Sequence, residues 1–480
     1  MNTTSSKRIA TFLLPSVGLM LLLVSGCTVG PKYVRPQVPA PPAYRGADDA
    51  AVSSANQGSL GDENWAKVFD EPELQELIRT ALTNNYDVRI AAQHVLEAQA
   101  QLRITRAQQF PTVSVGGKGV GADLGSSVIS SAGASGLPSG AFASGSFTAS
   151  AAWKADFWGL YRRQTEAQRA QMLSQVWAQR VVRMTLVQQV ATAYFQLRSY
   201  DEQLEIAKQT LEERQESVAL TRTLVDGGSN PLSDLRQAEE NEYTASVQIP
   251  QLEQQIQQQE NALRLLLGQN PGPVAHTDPN ALAPVPQSLP VGLPSRLLER
   301  RPDILEAEEQ LAQANANIGV ARAQFFPQLS LTTSGGVGGS DFSQIFNPDS
   351  RLIYGIGSLT QPIFEGGKLR GQLQLSEETK KEMVLNYQKT IATAFHDVSN
   401  ALIQVSKQSA AREQQEKLVA AAADAARLSR IQFQAGATSY LAVLTTDSTL
   451  FSAQLNLVST QEAEAQSLVQ LYVALGGGWQ

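Results

Sequence analysis

Hydrophobic and polar positions along this chain follow two periods, and the order in which the periods alternate occurs twice. From Glu71-Pro72-Glu73, which reads as a helix start, the apolar residues Leu74, Leu77, Ile78, Ala81 and Leu82 recur at helical spacing. Helical spacing continues through Asp87–Ala107 and gives way after Pro111 to a period of two, with Val113 and Val115 separated by small polar residues. A strand is expected over about 112–121 and a second over about 146–156, where Phe147, Ala149, Ala151, Trp153 and Ala155 share one face. Two long helical patterns follow, 160–225 and 232–267, joined by the turn Asp226-Gly227-Gly228-Ser229-Asn230-Pro231. The first, with about 66 residues, implies about 100 Å of helix. A compact domain cannot hold such a helix, so it must pack lengthwise on others of its kind.

The same succession returns in the second half. Asp303–Pro327 matches Asp87–Pro111, and both segments close on Arg-Ala-Gln-x-Phe-Pro, at Arg106–Pro111 and Arg322–Pro327. Val190–Phe195 has its counterpart in Ile391–Phe395, and Thr221–Leu235 in Ser429–Val443. The second half predicts a helix over 303–325, strands over about 328–336 and 351–363, and long helices over 369–434 and 439–475. Their turn is Gln434-Ala435-Gly436-Ala437-Thr438. One copy of such a unit cannot bury its own apolar faces, so the repeat predicts a protein that closes a shape around an axis. Residues 65–290 form the first repeat and 291–480 the second. Strands of about ten residues suit a tilted passage through hydrocarbon, and the polar stretches 123–145 and 338–350 suit cell-exterior loops. Gln251, Gln254, Gln255, Gln257 and Gln258 give one helix a broad polar face, as the wall of a water-filled duct requires.

Composition narrows the class. Hydrophobic residues make up 42% and charged residues 17%, and a net charge of -7 leaves no basic face for nucleic acid. Past the N-terminus no apolar run reaches 18 residues, so a membrane passage falls to a closed β-barrel. Met1–Gly26 reads as a signal peptide, with Lys7 and Arg8 ahead of an apolar run from Ile9 to Val24. Val24-Ser25-Gly26-Cys27 resembles the bacterial lipobox, which makes Cys27 the lipidated first residue of the mature protein, anchored without spanning. Thr28 after it fits outer-membrane sorting. Cys27 is the only cysteine, so no thiol remains for a disulfide or a metal site. Residues 27–64 read as a lipidated strap, extended by Pro31, Pro36, Pro39, Pro41 and Pro42. His94, His276 and His396 lack ligand spacing, and no nucleophile elbow or phosphate loop occurs. No enzyme, metal or cofactor is expected beyond the covalent lipid on Cys27.

Several short motifs point the same way: Gly30-Pro31-Lys32-Tyr33 with Pro36, Glu71-Pro72-Glu73-Leu74, Arg300-Arg301-Pro302-Asp303-Ile304, Phe325-Phe326-Pro327 and Gln361-Pro362-Ile363-Phe364-Glu365-Gly366-Gly367. With Cys27 they span nearly the whole mature chain. The chain resembles the TolC-like outer-membrane efflux channels, in the lipoprotein (NodT-type) branch that serves tripartite multidrug pumps. The resemblance implies an α+β membrane protein: a tandem-repeat protomer whose four strands join a trimeric β-barrel and whose long helices form a periplasmic coiled-coil α-barrel. It also implies a homotrimer seated in outer-membrane lipid, partnered by a periplasmic membrane-fusion adaptor and an inner-membrane RND-type transporter.

The gate, by the same resemblance, lies at the periplasmic helix turns. Asp234 falls on an acidic position of the first turn and Phe433 on an aromatic position of the second. The family's two acidic positions of the second turn fall on Ala442 and Thr445, so a ring of many carboxylates is not expected. The gate expected instead is a constriction of Asp234 with apolar Leu232 or Leu441; helix capping after Pro231 is an equally weighted role for Asp234. Gly228 and Gly436 are the candidates for adaptor contact, with plain turn geometry as their alternative. A protein-secretion duct and a structural envelope-tethering lipoprotein are the competing functions.

Overall fold

The computed structural model describes residues 28–46, 58–124, 140–275, 289–339 and 347–479. The signal peptide, Cys27 and His276 lie outside the described residues. The chain forms two compact units, one from residues up to 36, 96–173 and 308–385, the other from 37–95, 174–307 and 386 onward. Each unit takes a share of both repeats. Within the described residues the order is α1 (Pro72–Asn84), α2 (Tyr86–Ala107), β1 (Thr112–Leu124), β2 (Gly140–Ala155), α3 (Leu160–Asp226), α4 (Leu232–Leu266), α5 (Pro302–Ala323), β3 (Gln328–Gly339), β4 (Arg351–Thr360), α6 (Lys368–Gln434) and α7 (Tyr440–Ala474). Short helical turns at Leu60–Asp62, Trp65–Val68, Pro294–Arg300 and Pro348–Ser350 complete it. The halves match in length: α3 and α6 have 67 residues each, and α4 and α7 have 35 each.

The first unit holds one antiparallel sheet in the order β1-β2-β3-β4. Its register aligns Val113, Val115, Phe147, Trp153, Leu329, Leu331, Val337, Ile353 and Leu359 on one face. The other face carries Ser114, Lys118, Ser146, Thr148, Ser150, Lys154, Ser330, Thr332 and Ser334. Hydroxyls meet across the strands there, Ser150 Oγ to Ser334 Oγ at 2.7 Å and Ser330 Oγ to Ser358 Oγ at 3.0 Å. One face is thus built for hydrocarbon and the other for water. The alternating residues Leu352, Tyr354 and Ile356 of β4 lie on the polar face, since Thr332 pairs with Ile356 and Ser334 with Tyr354.

Several expected boundaries shift. β1 runs on to Leu124 and β2 begins at Gly140, because pairing continues where Gly, Ser and Ala leave no alternation to read. β3 likewise extends to Gly339. β4 ends at Thr360 rather than 363, ahead of Pro362, whose missing N–H cannot serve a ladder. α5 starts at Pro302, where the ring suits the first turn, and ends at Ala323. The aromatics after β2 divide: Trp158 stacks on Phe326 at 4.7 Å and donates from Nε1 to the Pro327 carbonyl at 2.9 Å, whereas Phe364 stays 88% exposed.

The strap residues 28–36 bind this first unit through their backbone. The buried Arg163 guanidinium donates to the carbonyls of Val29 (3.1 Å) and Gly30 (3.3 Å), and Asn315 Nδ2 to that of Pro31 (3.1 Å). Gly30 sits at φ +109, and a Cβ there would stand 2.5 Å from the Gly319 Cα. Tyr33 donates to Glu308, which also pairs with Arg35 at 3.1 Å. The Gly30-Pro31-Lys32-Tyr33 motif is therefore a docking sequence for a strap, with glycine needed for close approach.

In the second unit α1 buries Leu74, Ile78 and Ala81 completely. Each of the two larger side chains contributes about 1.5–3 kcal/mol by leaving water. Glu71 accepts from Tyr194 Oη (2.7 Å) and Arg198 Nη1 (3.0 Å), which ties the start of α1 to α3. The two halves then solve one problem in two ways. Asn85, ahead of α2, donates from Nδ2 to the carbonyl of Leu266 (2.9 Å); Arg301, ahead of α5, donates from Nη1 to that of Ala474 (3.2 Å). These are the last residues of α4 and α7, whose terminal carbonyls need partners. Arg301 is held in turn by Asp303 (2.7 Å) and Asp397 (3.2 Å), so the Arg-Arg-Pro-Asp motif is a helix-end cap with its own counter-ions.

Candidate functional site

The two helix turns have the same backbone. Leaving α3, Gly228 N bonds to the Val225 carbonyl and Ser229 N to that of Leu224; leaving α6, Gly436 N bonds to Phe433 and Ala437 N to Gln432. Gly228 and Gly436 stand at φ +72 and +71, the left-handed position that ends a helix in this motif. No atom lies within 4 Å of a Cβ built on either, so both present open backbone.

The candidate gate residues separate into two groups. Leu232 and Leu441 are each 56% exposed at the first turns of α4 and α7. Phe433 instead packs against Tyr440, 5.2 Å between rings, within a core of Val218, Leu235, Ala238, Val443 and Leu444. It braces the turn from inside. Asp234, half-buried in the first turn of α4, accepts from Asn230 Nδ2 at 3.1 Å and from Ser233 Oγ at 3.4 Å. Pro231 is the residue that starts the helix and gives it no side-chain cap, so Asp234 closes the turn through Asn230 rather than by capping backbone amides. Its charge near the helix N-terminus is favourable by about 0.3–1 kcal/mol. Ala442 and Thr445 leave α7 without acid in its first turn.

Behind the turns lies a set of charges that the sequence reading did not single out. Arg430 of α6 reaches Glu213 of α3 (2.9 Å) and Asp447 of α7 (3.1 Å) with the same Nη2. Arg214 of α3 is 94% buried by its 6% residual exposure; it donates from Nη1 to the Asn241 carbonyl of α4 and lies 5.0 Å over the Phe451 ring. Burial lowers the Arg214 pKa and raises that of the Asp447 carboxyl. Tyr440 and Ser217 share a hydrogen bond of 2.6 Å beside them. The available signal was Arg214 and Asp447, two charged residues set into the apolar stripes of α3 and α7. Among the described residues no group of three His, Cys, Asp or Glu side chains could hold a metal, and no helix is long and apolar enough to cross a membrane.

A sheet with one apolar and one polar face, carried by matched long helices, agrees with the family comparison. The model of the outer membrane efflux protein family matches residues 77–269 and 293–477. The chain belongs to the outer membrane efflux protein family. It is 36% identical over 462 residues to the cation efflux system protein CusC of Escherichia coli O6:H1, covering 96% of this chain and 97% of that protein. It is equally 36% identical over 474 residues to the probable efflux pump outer membrane protein TtgC of Pseudomonas putida, covering 97% and 95%. Among solved structures, that of CusC superposes with a TM-score of 0.82 at 32% identity, over 94% of this chain and all of that one. The open state of the Neisseria gonorrhoeae MtrE outer membrane channel gives 0.81 at 28% identity, over 95% and 99%. As a member of the family, the chain is an efflux channel of the outer membrane, and its four-stranded sheet is the part whose surface suits lipid.

Proposed function

We propose that three copies of the chain form the exit duct of a tripartite efflux pump, joined by a periplasmic adaptor to an inner-membrane RND-type transporter, with opening set at the helix turns. The observation that carries this is the open sheet. β1 and β4 each have an unpaired edge among the described residues, and an open edge cannot stay in hydrocarbon. Further copies that pair β4 with β1 close it. Cys27 supplies the lipid that holds the N-terminus at the membrane, and the strap residues that follow it are fastened to α3 by Arg163 and to α5 by Asn315.

Relatives of similar identity are named for cations, antibiotics and toluene, which supports a duct that leaves the choice of cargo to its inner-membrane partner. The efflux names also favour small-molecule export over protein secretion, and the membrane-suited sheet disfavours a tether. In this reading Leu232, Leu441 and Asp234 line the constriction, while Phe433 supports it. The test is made on full-length protein taken from outer membranes. Native mass spectrometry should give a lipid-bearing trimer, and planar bilayers should show discrete channels whose cation preference falls in Asp234→Ala. A monomer that conducts nothing overturns the duct; a trimer whose preference Asp234→Ala leaves unmoved removes Asp234 from the constriction.

A further inference from the structure

The water-suited face of the sheet carries charge of one sign. Its ladder positions hold Lys118 on β1, opposite Ser146, and Lys154 on β2, opposite Ser330. Both lysines are exposed, and among the described residues neither takes part in an ion pair. The four strands contain one acid, Asp123, whose pairing with Ala141 gives it the register of the apolar face; Arg351 pairs with Val337 on that face too. Asp156, just past β2, is the acid nearest to Lys154 in sequence, and its Oδ2 already accepts from Arg162 N (2.9 Å) and Nε (3.4 Å). Lys154 stands eight residues along β2 from Ser146, which separates the two charges by about 26 Å along the strand.

Closure of the sheet into a barrel turns this into a property of the duct. Three copies of the four-stranded sheet give twelve strands, and strands about 4.8 Å apart and tilted by about 40° set a backbone radius of about 12 Å. Side chains on the inner face bring their charge closer to the axis than that. At 0.1 M salt the screening length is about 10 Å, so the potential of the lysines reaches ions in mid-channel. We infer that Lys118 and Lys154 make the membrane end of the duct a filter for anions, favouring small anionic cargo and opposing the cation preference proposed for Asp234 at the turns. The inference rests on the proposed trimeric duct and assigns specificity to its other end. Rings of Lys or Arg side chains are one way in which a water-filled pore comes to prefer anions. A plainer role competes with this one. β1 is an edge strand of the single copy, and a lysine on an edge discourages wrong strand pairing. That role predicts an effect on assembly alone.

Full-length trimers purified from outer membranes and placed in planar bilayers under a potassium chloride gradient separate the two roles by reversal potential. With both lysines neutralised, K118Q/K154Q should raise the potassium-to-chloride permeability ratio about twofold or more near 0.1 M salt. The shift should vanish near 1 M, where the screening length falls to about 3 Å. K118R/K154R keeps the charge and should keep the wild-type ratio. In the Asp234→Ala background the lysines act unopposed, so the channel should prefer chloride, and adding K118Q/K154Q should cancel that preference. A ratio that K118Q/K154Q leaves unchanged in both backgrounds overturns the inference while the duct stands. A shift that K118R/K154R reproduces overturns it as well, since charge is then not the cause. Failure of K118Q/K154Q to assemble also overturns it, because the charge then serves assembly. Absence of channels from the wild-type protein overturns the duct itself, and the filter with it. A lysine effect without any Asp234 effect supports the filter and removes only the acid from the turns.

Discussion

At the scale of single residues, the turn glycines show how geometry and recognition are to be told apart. Gly436 needs a left-handed backbone, yet a side chain there meets nothing within 4 Å. Gly436→Val therefore costs only its backbone strain, about 1–2 kcal/mol. Gly436→Asn costs less, since Asn tolerates this conformation. If the glycine serves the turn alone, Gly436→Asn should cross-link to the adaptor like the wild type. Loss of cross-linking in a trimer that melts normally would assign the open backbone to the partner. Asp447 offers a second test at this scale. It is faced by Arg430 of α6 and by Glu213 and Arg214 of α3, and burial raises its pKa. Its packed form thus binds a proton more readily than its hydrated form. Its share of stability is complete below the ordinary aspartate value and is lost as pH rises through the raised one. Lowering pH toward the ordinary aspartate range should therefore stabilise the packed turns, by melting temperature, and Asp447→Asn should flatten that gain. A wild-type gain no larger than that of Asp447→Asn would show that other carboxyls carry it.

Elements were legible in proportion to how strongly their sequence repeats a period. The long helices could be bounded to within a residue because glycine and proline punctuate both ends, and α3 and α6 indeed stop at Asp226 and Gln434. α4 runs through Pro250, which the apolar stripe overrode, since Leu252 and Ile249 pack with Phe451 around it. Strand ends were less legible. Runs of Gly, Ser and Ala give no alternation, so the outer ladder residues of β1 and β2 read as loop. The position of Leu352, Tyr354 and Ile356 on the polar face could not be read from β4 alone, because period two states only that two faces exist. Register settles which, and register depends on the neighbouring strand. Gly336 shows what fixes it here: a Cβ would run into the Phe147 carbonyl and the Thr148 backbone of β2. Gly336→Val should break the β2–β3 ladder and abolish the assembled, heat-modifiable barrel band on gels. The same substitution at Gly355, where a Cβ meets nothing, should leave the band in place. Equal loss in both would mean that strand content rather than close approach limits assembly.

For the whole molecule, the repeat told most about fold and least about the site. Both halves spell the same elements, so the architecture could be read from their agreement. The candidate site lies where the halves diverge. Asn85 and Arg301 do the same capping with different chemistry, and Asp234 has its counterpart at Ala442. Charges such as Arg214 and Asp447 each gain their meaning from two other helices, which no local pattern reports. That is why the gate residues inferred from resemblance needed sorting by geometry into exposed leucines, a bracing phenylalanine and a turn-closing aspartate.

The matched helix lengths have a consequence for how such a protein can change. With 67 residues in α3 and in α6, and 35 in α4 and in α7, the four helices act as a gauge cut twice to one measure. An added turn in one of them leaves its bend out of step with its twin's, so growth has to come in pairs. The hairpins carry no such constraint: β1 leads β3 by 216 positions and α3 leads α6 by 208, so the eight residues of drift fall between the start of each hairpin and the start of the long helix after it.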